Sequence, residues 1–440
     1  MESSTSPAPR TTQLRAPSVL FSVLAALTLF SYACARTASE SLFLIPYGRD
    51  ALPGLWLEVG LAVVLTVWLY NRQLRRASLF TLYQRSLWGS AGSLFLLLFF
   101  LPPLDGETPG IYLGPLPIHP IAAVRVWCDI YIILLVEVFW SLANLTFSTE
   151  EARTRYGLLA AAGTGGSIAG NLFSGGMAEQ LGSLTLIYIA IPSLLLMSAF
   201  VVALKRSLSK GELFRGDHTV KEKSTGRLLD SMSLVMNTRR LRQILGLVLL
   251  SQFVVALIDY EYQGLLRFSY PDEDQRTVIS AWLYTSIDIG ALSMQALTAL
   301  LLTRLGVAGT LSLIPLLLAG LCLPSLFFPL FILSAAAKSA SKFFTYSIFK
   351  AAKELLYIPL PYRAQTEGKA VIDIMGYRLA KIVIALSLLT LAGLSRFGEG
   401  EQPWLQLAPR LLLASSLTAW FWLAWRLRTE LQKNKVEELS

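Results

Sequence analysis

Histidine, cysteine and charged side chains are scarce in this chain of 440 residues. Two histidines, His119 and His218, are too few for a histidine-rich metal site or an HExxH motif. The three cysteines, Cys34, Cys128 and Cys322, are not in CxxC spacing. This scattered placement is typical of small apolar side chains that fill space, not of a disulfide or zinc framework. A Gly-x-Ser-x-Gly element is missing as well. The sequence therefore predicts no metal, no cofactor and no enzymatic activity.

Apolar residues replace the missing charge. Charged residues make up 15% of the chain and hydrophobic residues 54%, and the mean hydropathy is +0.54. An ordinary soluble domain carries about 25% charge. Runs of roughly 18 to 22 apolar residues recur along the chain, each long enough to cross the ~30 Å core of a bilayer. A soluble enzyme, a nucleic-acid-binding protein and a secreted scaffold are excluded as first interpretations, and the lipid bilayer is the expected environment.

The apolar runs predict an all-α membrane protein with about twelve transmembrane helices. They cover residues 17–34, 53–70, 86–104, 118–144, 156–176, 183–204, 242–262, 278–303, 307–322, 325–346, 371–394 and 404–425. A cleaved signal peptide is the alternative for the first run, because Ala33-Cys34-Ala35 resembles a small-residue cleavage site.

The positions of lysine and arginine predict the orientation. If the N-terminus is inside, the inner segments hold 27 of the 38 basic residues and the outer segments hold 5. The positive-inside rule then places both termini in the cytoplasm, with a bacterial inner membrane as the expected location. The net charge of +9 is thereby explained by topology rather than by binding of nucleic acid.

A basic stretch at 205–241 separates two predicted six-helix halves, residues 1–204 and 242–440. The stretch is either a solvated topological signal or a regulatory site. Two such halves joined by a cytoplasmic linker are typical of major-facilitator transporters, whose substrate binds near the midplane between the halves.

Ionisable side chains within or beside the predicted spans are candidates for a transport pathway, because burying them in a membrane is costly. They lie in spans one, four, seven and ten: Arg36 and Glu40, then Arg125, Asp129 and Glu137, then Asp259, and finally Lys338 and Lys342. These are the spans that line the central cavity of a major-facilitator protein. The alternative for the first and fourth spans is ion pairs between residues four apart that only hold helices in place. For the two lysines the alternative is snorkelling to an interface.

Small residues recur every four positions in the fifth predicted span. Gly163, Gly166 and Gly170 lie where no Gly-Lys-Ser/Thr follows, so a phosphate loop is not indicated. Small residues at this spacing allow two membrane helices to approach closely, and the pattern predicts helix packing.

Two linked elements near the C-terminus resemble a known family. They are Lys353-Glu354-Leu-Leu-Tyr357-Ile-Pro359-Leu and Ile372-Asp373-Ile-Met-Gly376-Tyr377-Arg378-Leu-Ala-Lys381, and Phe139-Trp140-Ser-Leu-Ala143-Asn144 is a second match. Both are similar to nucleotide transporters that exchange ATP for ADP in plastids and obligate intracellular bacteria. One position departs from the family, because serine occupies position 39 where a lysine usually follows the first-span arginine.

The resemblance and the charges together predict a secondary transporter that exchanges a nucleotide or a related organic phosphate. The expected substrate contacts are Arg36, Arg125, Lys338, Lys342, Lys353, Arg378 and Lys381. The expected charge-balancing or coupling residues are Glu40, Asp129, Glu137, Asp259, Glu354 and Asp373. A major-facilitator transporter of another small molecule and a non-transporting membrane scaffold are the alternatives. The coupling ion and the oligomeric state stay open.

Overall fold

The computed structural model describes residues 15–74, 76–104, 110–210, 228–361, 363–397 and 403–437. Nearly all of these residues are helical. A short antiparallel hairpin of β1 (Tyr112–Leu113) and β2 (Leu116–Pro117) precedes the fourth long helix.

Within the described ranges, seven α-helices precede residue 211 and form the first half of the molecule. They are α1 (Arg15–Phe43), α2 (Leu52–Leu74), α3 (Leu79–Phe99), α4 (Pro120–Thr146), α5 (Thr149–Leu181), α6 (Ser183–Tyr188) and α7 (Ala190–Lys210). Local capping fixes several starts. The Ser78 hydroxyl accepts the Thr81 N–H at α3, and Ser148 and Glu151 form a reciprocal capping box at α5.

In the part of the chain after residue 227 that the structure describes, there are eight α-helices. They are α8 (Leu228–Asn237), α9 (Arg239–Ser269), α10 (Glu273–Phe327), α11 (Phe331–Phe344), α12 (Lys350–Tyr357), α13 (Lys369–Val371), α14 (Tyr377–Phe397) and α15 (Pro403–Glu437). Three π-helical turns, Thr345–Phe349, Ala364–Gly368 and Ile372–Gly376, connect α11 to α14. We call α9 to α15 the second half.

Every predicted span is mostly helical, although boundaries differ and some spans cover more than one helical element. The predicted spans 278–303 and 307–322 run together as α10, which turns sharply at Gly306. The φ of this residue is 68°, a value that favours glycine. The predicted polar stretch 205–241 contains α8, which packs against α9 and buries Val235. Residues 211–227 of that stretch lie outside the described residues.

Six helices within the described ranges are long and apolar enough to cross a membrane. By length and composition they are Ala16–Phe43, Arg49–Leu74, Ser183–Ser209, Arg239–Ser269, Glu273–Ser325 and Leu407–Glu430. The helix 273–325 holds two predicted spans because of its turn at Gly306.

The two halves meet along several helix pairs. Helix α5 packs against α1 within the first half and against α10 of the second half, and α2 packs against α14. Gly166 and Gly170 lie at the α1–α5 contact, where an added Cβ atom would come within 2.1 Å of the Ala26 carbonyl oxygen and 2.5 Å of the Phe30 carbonyl oxygen. Gly163 contacts Leu29 at the same interface. These contacts place the two helix backbones in close approach.

Candidate substrate cavity

A cavity of about 870 Å³ lies between the two halves. The first half contributes an apolar wall from α2 and α4: Trp56, Val59, Gly60, Val63 and Ile133. The second half contributes most of the polar wall, which contains four lysines and two carboxylates: Lys342, Lys350, Lys353, Lys381, Glu354 and Asp373. The cavity is therefore amphipathic, with its positive charge on one side. We call the end of the bundle near these residues the cavity end.

Three of the cavity lysines have no ion-pair partner among the residues that the structure describes. They are Lys342 on α11, Lys350 at the start of α12 and Lys381 on α14. Lys350 and Lys381 are exposed, and Lys342 is half-buried. An ammonium group that faces a cavity without a carboxylate partner is available to an anion.

The π-turn after α11 explains why Lys342 and Lys350 share one wall. In an unbroken α-helix, residues eight apart are rotated by about 80° from each other. The π-turn Thr345–Phe349 accommodates one additional residue, so the pair behaves as if it were seven apart, with a rotation of about 20°. Both ammonium groups then face the cavity.

The other cations of the motif region are held by carboxylates. Lys353, which is 4% exposed, has its ammonium nitrogen 2.6 Å from Asp373 and 4.0 Å from Glu354. Lys369 donates to Glu354 at 2.5 Å. Asp373 and Glu354 thus fix the positions of two lysines at the cavity end.

At the opposite end of the bundle, a network of charged and phenolic groups joins the halves. Arg125 on α4 donates to Asp129 at 3.0 Å and to Glu40 of α1 at 3.1 Å. Glu40 also accepts hydrogen bonds from Tyr284 of α10 at 2.9 Å and from Gln263 of α9 at 3.4 Å. Glu40 is therefore the centre of contacts between the two halves. We call this region the contact end.

Further bonds between the halves reinforce the contact end. Arg49 donates to Glu261 at 3.5 Å, and the Tyr260 hydroxyl donates to Asp50 at 2.8 Å. Arg276 donates to the Ser41 carbonyl oxygen at 3.1 Å. The halves are consequently closed together at this end.

Lys338 of α11 and Asp259 of α9 form an ion pair beside Tyr284, at the border of the contact end. Their nitrogen and oxygen atoms are 2.8 Å apart, and Lys338 is fully buried. The Lys338 ammonium group also lies 4.0 Å from the ring centre of Tyr262 and 5.1 Å from that of Tyr284. Two aromatic faces and one carboxylate therefore stabilise this buried charge.

Arg36 does not pair with Glu40, although the two are four residues apart. Its guanidinium carbon lies 3.5 Å from the ring centre of Tyr284 and 5.0 Å from that of Tyr32. Its Nε and one terminal nitrogen are buried and have no hydrogen-bond partner in the described part of the chain. Arg36 is consequently a stacked cation with unused donors.

The predicted site residues thus fall into two groups. Lys342, Lys353, Lys381, Glu354 and Asp373 line the cavity, whereas Arg36, Glu40, Arg125, Asp129, Lys338 and Asp259 belong to the contact end or its border. Glu137 has an exposed side chain on α4 and joins neither group. The side chain of Arg378 lies outside the described residues.

Sequence reasoning missed four residues that contribute to these regions. Lys350 was counted with the topological charges, and Trp56 and Tyr284 lie in apolar runs without a distinguishing signal. Asp288 is an ionisable residue within the predicted span 278–303, so the rule applied to the other spans would have found it.

The described residues contain no group of three or more His, Cys, Asp or Glu side chains that could hold a metal ion. Cys34, Cys128 and Cys322 are buried free thiols.

His119 immediately precedes α4 and fixes the start of that helix. Its Nδ1 accepts the Ile121 N–H at 3.2 Å.

Solved structures with the same fold are transporters. The nucleoside transporter NupG has a TM-score of 0.62 at 13% identity, and the match covers 92% of this chain and 98% of that chain. The POT family transporter PepTSo has a TM-score of 0.63 at 9% identity, with coverage of 94% and 98%. These likenesses show the fold alone, which is the two-half helical fold of major-facilitator transporters.

Curated relatives are more informative about family. ADP,ATP carrier protein 1, chloroplastic, of Arabidopsis thaliana is 24% identical over 321 residues, which are 61% of this chain and 49% of that protein. The plastidic ATP/ADP-transporter of Solanum tuberosum is 23% identical over 408 residues, 80% of this chain and 64% of that protein. ADP,ATP carrier protein 3 of Rickettsia bellii is 24% identical over 302 residues, with 58% and 59% covered. The chain thus matches about half to two thirds of each relative's length.

The family assignment rests on the match to a family model. A model of the TLC ATP/ADP transporter family matches residues 123–342 and 330–396, which together exceed half of the chain. These residues include Arg125, the Lys338–Asp259 pair and the cavity lysines from Lys342 to Lys381. The chain is therefore an integral membrane protein that belongs to the TLC ATP/ADP transporter family.

Proposed function

We propose that this chain is a secondary transporter that exchanges nucleotides, or a closely related organic phosphate, by alternating access. The observation that carries the proposal is the set of three lysines, Lys342, Lys350 and Lys381, which face the cavity without a carboxylate partner among the described residues. The family relatives are named as ATP/ADP transporters and carriers, which supports the same substrate class.

The dimensions and the chemistry of the cavity fit a nucleotide. Small-molecule sites usually measure about 300–1,000 Å³, and this cavity measures about 870 Å³. The phosphates of a nucleotide carry about three or four negative charges at neutral pH, which suit the lysine wall. Its base and ribose suit the apolar wall of α2, where Trp56 and Val59 face the same cavity.

The remaining predicted residues receive roles that depend on the state of the transporter. Lys353 and Lys369 are held by Asp373 and Glu354 until a phosphate competes for them. Arg36, Arg125 and Lys338 are not on the cavity wall, so they would contact an anion only after the contact end opens. In the closed state Glu40, Asp129 and Asp259 balance their charges.

We also propose the orientation and division of the chain. With both termini in the cytoplasm of a bacterial cell, the cavity end faces the cytoplasm and the contact end faces outward. The excess of 27 over 5 basic residues on the inner segments supports this orientation. Residues 1–204 and 242–440 would then move against each other as halves, with 205–241 as the connecting segment.

Exchange in proteoliposomes tests the proposal. Liposomes loaded with ATP should take up labelled ADP through the wild-type chain, and protein-free liposomes loaded with ATP should not. Lys350→Gln and Lys342→Gln should each raise the KM for ADP by roughly 10- to 100-fold, because a hydrogen bond to a charged group contributes about 1.5–3 kcal/mol. Lys205→Gln is the matched control, since this lysine is exposed on α7 away from the cavity. Absence of exchange with every nucleotide tested would refute the proposal.

The second candidate function is a non-transporting membrane scaffold. The observation that favours it is Ser39, which is fully buried and donates to the Arg36 carbonyl oxygen where relatives usually carry a lysine. A thermal-shift titration separates the two candidates. A nucleotide present at 100 times its Kd stabilises the folded protein by about 2.7 kcal/mol, whereas a scaffold without a nucleotide site shows no shift.

A further inference from the structure

Asp288 is a carboxylate on α10 that bonds only to neutral groups among the described residues. Its Oδ2 accepts the Ser167 hydroxyl at 2.7 Å and the Asn171 amide N–H at 3.2 Å. Both partners lie on α5, so the two bonds cross from the second half to the first. No Lys or Arg forms an ion pair with Asp288 within the described part of the chain. This arrangement differs from that of Asp259 and Asp373, which both pair with a lysine.

Helix α5 presents a polar face to Asp288 and a glycine face to α1. Ser167 and Asn171 are four residues apart and therefore lie on one face of the helix. Asn171 is fully buried, and its Oδ1 has no hydrogen-bond partner among the described residues. Gly166 and Gly170, on another face, pack against the backbone of α1. Because this amide oxygen has no donor, it can accept a hydrogen bond from the neighbouring carboxyl group when that group carries a proton.

Arg36 of α1 is the charged group near Asp288. Its guanidinium carbon lies 3.5 Å from the ring centre of Tyr284, which is one helical turn before Asp288 on the same face of α10. Among the described residues, α5 contributes only the neutral Ser167 and Asn171 to this region. Tyr284 also bonds to Glu40, and Lys338 of α11 lies against the same ring. Glu40 and Asp288 are thus both near Arg36, but Glu40 is bonded to Arg125 and Tyr284, whereas Asp288 bonds only to neutral groups.

We propose that Asp288 is the coupling carboxylate of the transporter and carries one proton together with each nucleotide during net uptake. This inference rests on the proposed function, since it assumes that a nucleotide phosphate contacts Arg36 when the contact end opens. The chemistry is a single reversible transfer: a proton from water binds one carboxylate oxygen and returns to water on the other side.

The coupling follows from the shared cation. While Asp288 is charged, it partly neutralises Arg36, so a phosphate binds to Arg36 with a less favourable free energy. A proton on Asp288 removes this competition and strengthens anion binding at Arg36. Linkage requires the reciprocal effect, in which a bound anion favours protonation of Asp288 by the same factor. Proton and nucleotide are therefore bound together and released together.

The position of Asp288 also links the proton to the movement of the halves. Opening at the contact end separates α5 from α10 and breaks both hydrogen bonds to Asp288, which exposes the carboxylate to water on that side. Closing restores the hydrogen bonds from Ser167 and Asn171, which favour the charged carboxylate and so release the proton while only the cavity side is open to water. The proton site thus changes its access with the same motion that changes access to the substrate.

Proteoliposomes holding the full chain test this proposal in two assays, with valinomycin and potassium to clamp the membrane potential. The first assay is ATP-for-ADP exchange without a pH gradient. The second is accumulation of labelled ADP into liposomes that are alkaline inside. For one proton per nucleotide, the wild-type chain should accumulate ADP up to about 10-fold per pH unit. Asp288→Asn should retain exchange but accumulate no ADP above the equilibrium level.

Asp274→Asn is the matched control. Asp274 also lies on α10 and also accepts hydrogen bonds from the first half, from the Ser183 N–H at 2.6 Å and the Ser183 hydroxyl at 2.5 Å. If the role of Asp288 is only structural, both variants should affect the two assays in the same way. Under the coupling proposal, Asp274→Asn accumulates ADP like the wild type.

The outcomes separate this proposal from the proposed function. Exchange without any response of accumulation to the pH gradient would overturn the coupling and leave nucleotide transport intact, as would accumulation driven by sodium instead. Equal accumulation in Asp288→Asn and wild type would also overturn it. If Asp288→Asn fails to exchange, calorimetry of ADP binding to the wild type in buffers of different ionisation enthalpy decides. Uptake of one proton per ADP supports the proposal, and uptake of none overturns it.

Discussion

The Lys338–Asp259 pair allows a quantitative test of how a buried charge is stabilised between α9 and α11. We consider Asp259→Asn, Lys338→Met and the double variant. Asp259→Asn leaves a fully buried ammonium group without its carboxylate, and Lys338→Met leaves the carboxylate without its cation. The double variant removes both charges, and methionine retains most of the volume of the lysine stem.

The structure sets the expected magnitudes. Breaking one partner of a buried pair costs about 3–5 kcal/mol. After Asp259→Asn, the rings of Tyr262 and Tyr284 at 4.0 and 5.1 Å still stabilise the ammonium group, by about 2 kcal/mol for a desolvated cation–π contact. After Lys338→Met, the Asp259 side chain keeps its 26% exposure and can be partly hydrated. We expect each single variant to lose about 1–3 kcal/mol and the double variant to lose less than about 1 kcal/mol.

Thermal unfolding in detergent, followed by tryptophan fluorescence, measures these losses. For a unit of 150–250 residues, each kcal/mol lowers the Tm by roughly 2–4 °C. The control is Arg426→Met, which removes one partly exposed partner of Glu430 at 3.5 Å while Arg239 stays bonded to that carboxylate, and it should cost less than about 0.5 kcal/mol. If the double variant at Lys338 and Asp259 loses as much as the sum of the two single variants, the reasoning is refuted. ATP-for-ADP exchange is a second measurement on the same variants. A double variant that is stable but does not exchange would show that Lys338 contributes to transport as well as to its ion pair.

Three further predictions use other contacts of the described residues. Gly166→Ala should lower stability by about 1–3 kcal/mol, because its Cβ would lie 2.1 Å from a carbonyl oxygen of α1. Gly165→Ala is the control: nothing lies within 4 Å of its Cβ, so it should leave the Tm unchanged in the same thermal assay. His119 accepts the Ile121 N–H at the start of α4, so His119→Ala should lower stability by about 0.5–2 kcal/mol in the same assay, whereas His119→Asn, which keeps a capping oxygen, should retain most of it. Glu40→Gln should weaken the bonds to Tyr284 and open the contact end, which spin labels on the two halves would report as longer distances.

The positions of the transmembrane helices could be predicted because a bilayer imposes a length and an apolar composition on each of them. The same physics does not specify where a helix deviates from regular geometry. The turn at Gly306 depends on one residue with positive φ, and the π-turn Thr345–Phe349 depends on packing around α11. For this reason the sequence indicated cations near the cavity but did not place Lys350 on its wall.

Local ion pairs were accessible to sequence reasoning, and distant ones were not. Arg125 and Asp129 are four residues apart and bond at 3.0 Å, as a helix allows. The spacing of Arg36 and Glu40 is the same, yet Glu40 bonds to Arg125, 85 residues away, while Arg36 stacks on Tyr284. Which of two equally spaced pairs forms is decided by the neighbouring helices, and one sequence without its fold does not contain that choice.

The uneven distribution of charge and apolar surface in the cavity has a consequence for what can drive the cycle. All four cavity lysines belong to the second half, whereas the first half faces them with Trp56, Val59, Val63 and Ile133. A bare phosphate or pyrophosphate can therefore be held by the lysine wall without contacting the first half. Opening the contact end breaks the bonds from Glu40 to Tyr284 and Gln263 and from Arg49 to Glu261, and new contacts between the halves must offset that cost. A nucleotide can supply them, because its phosphates bind one half while its base and ribose pack against the other.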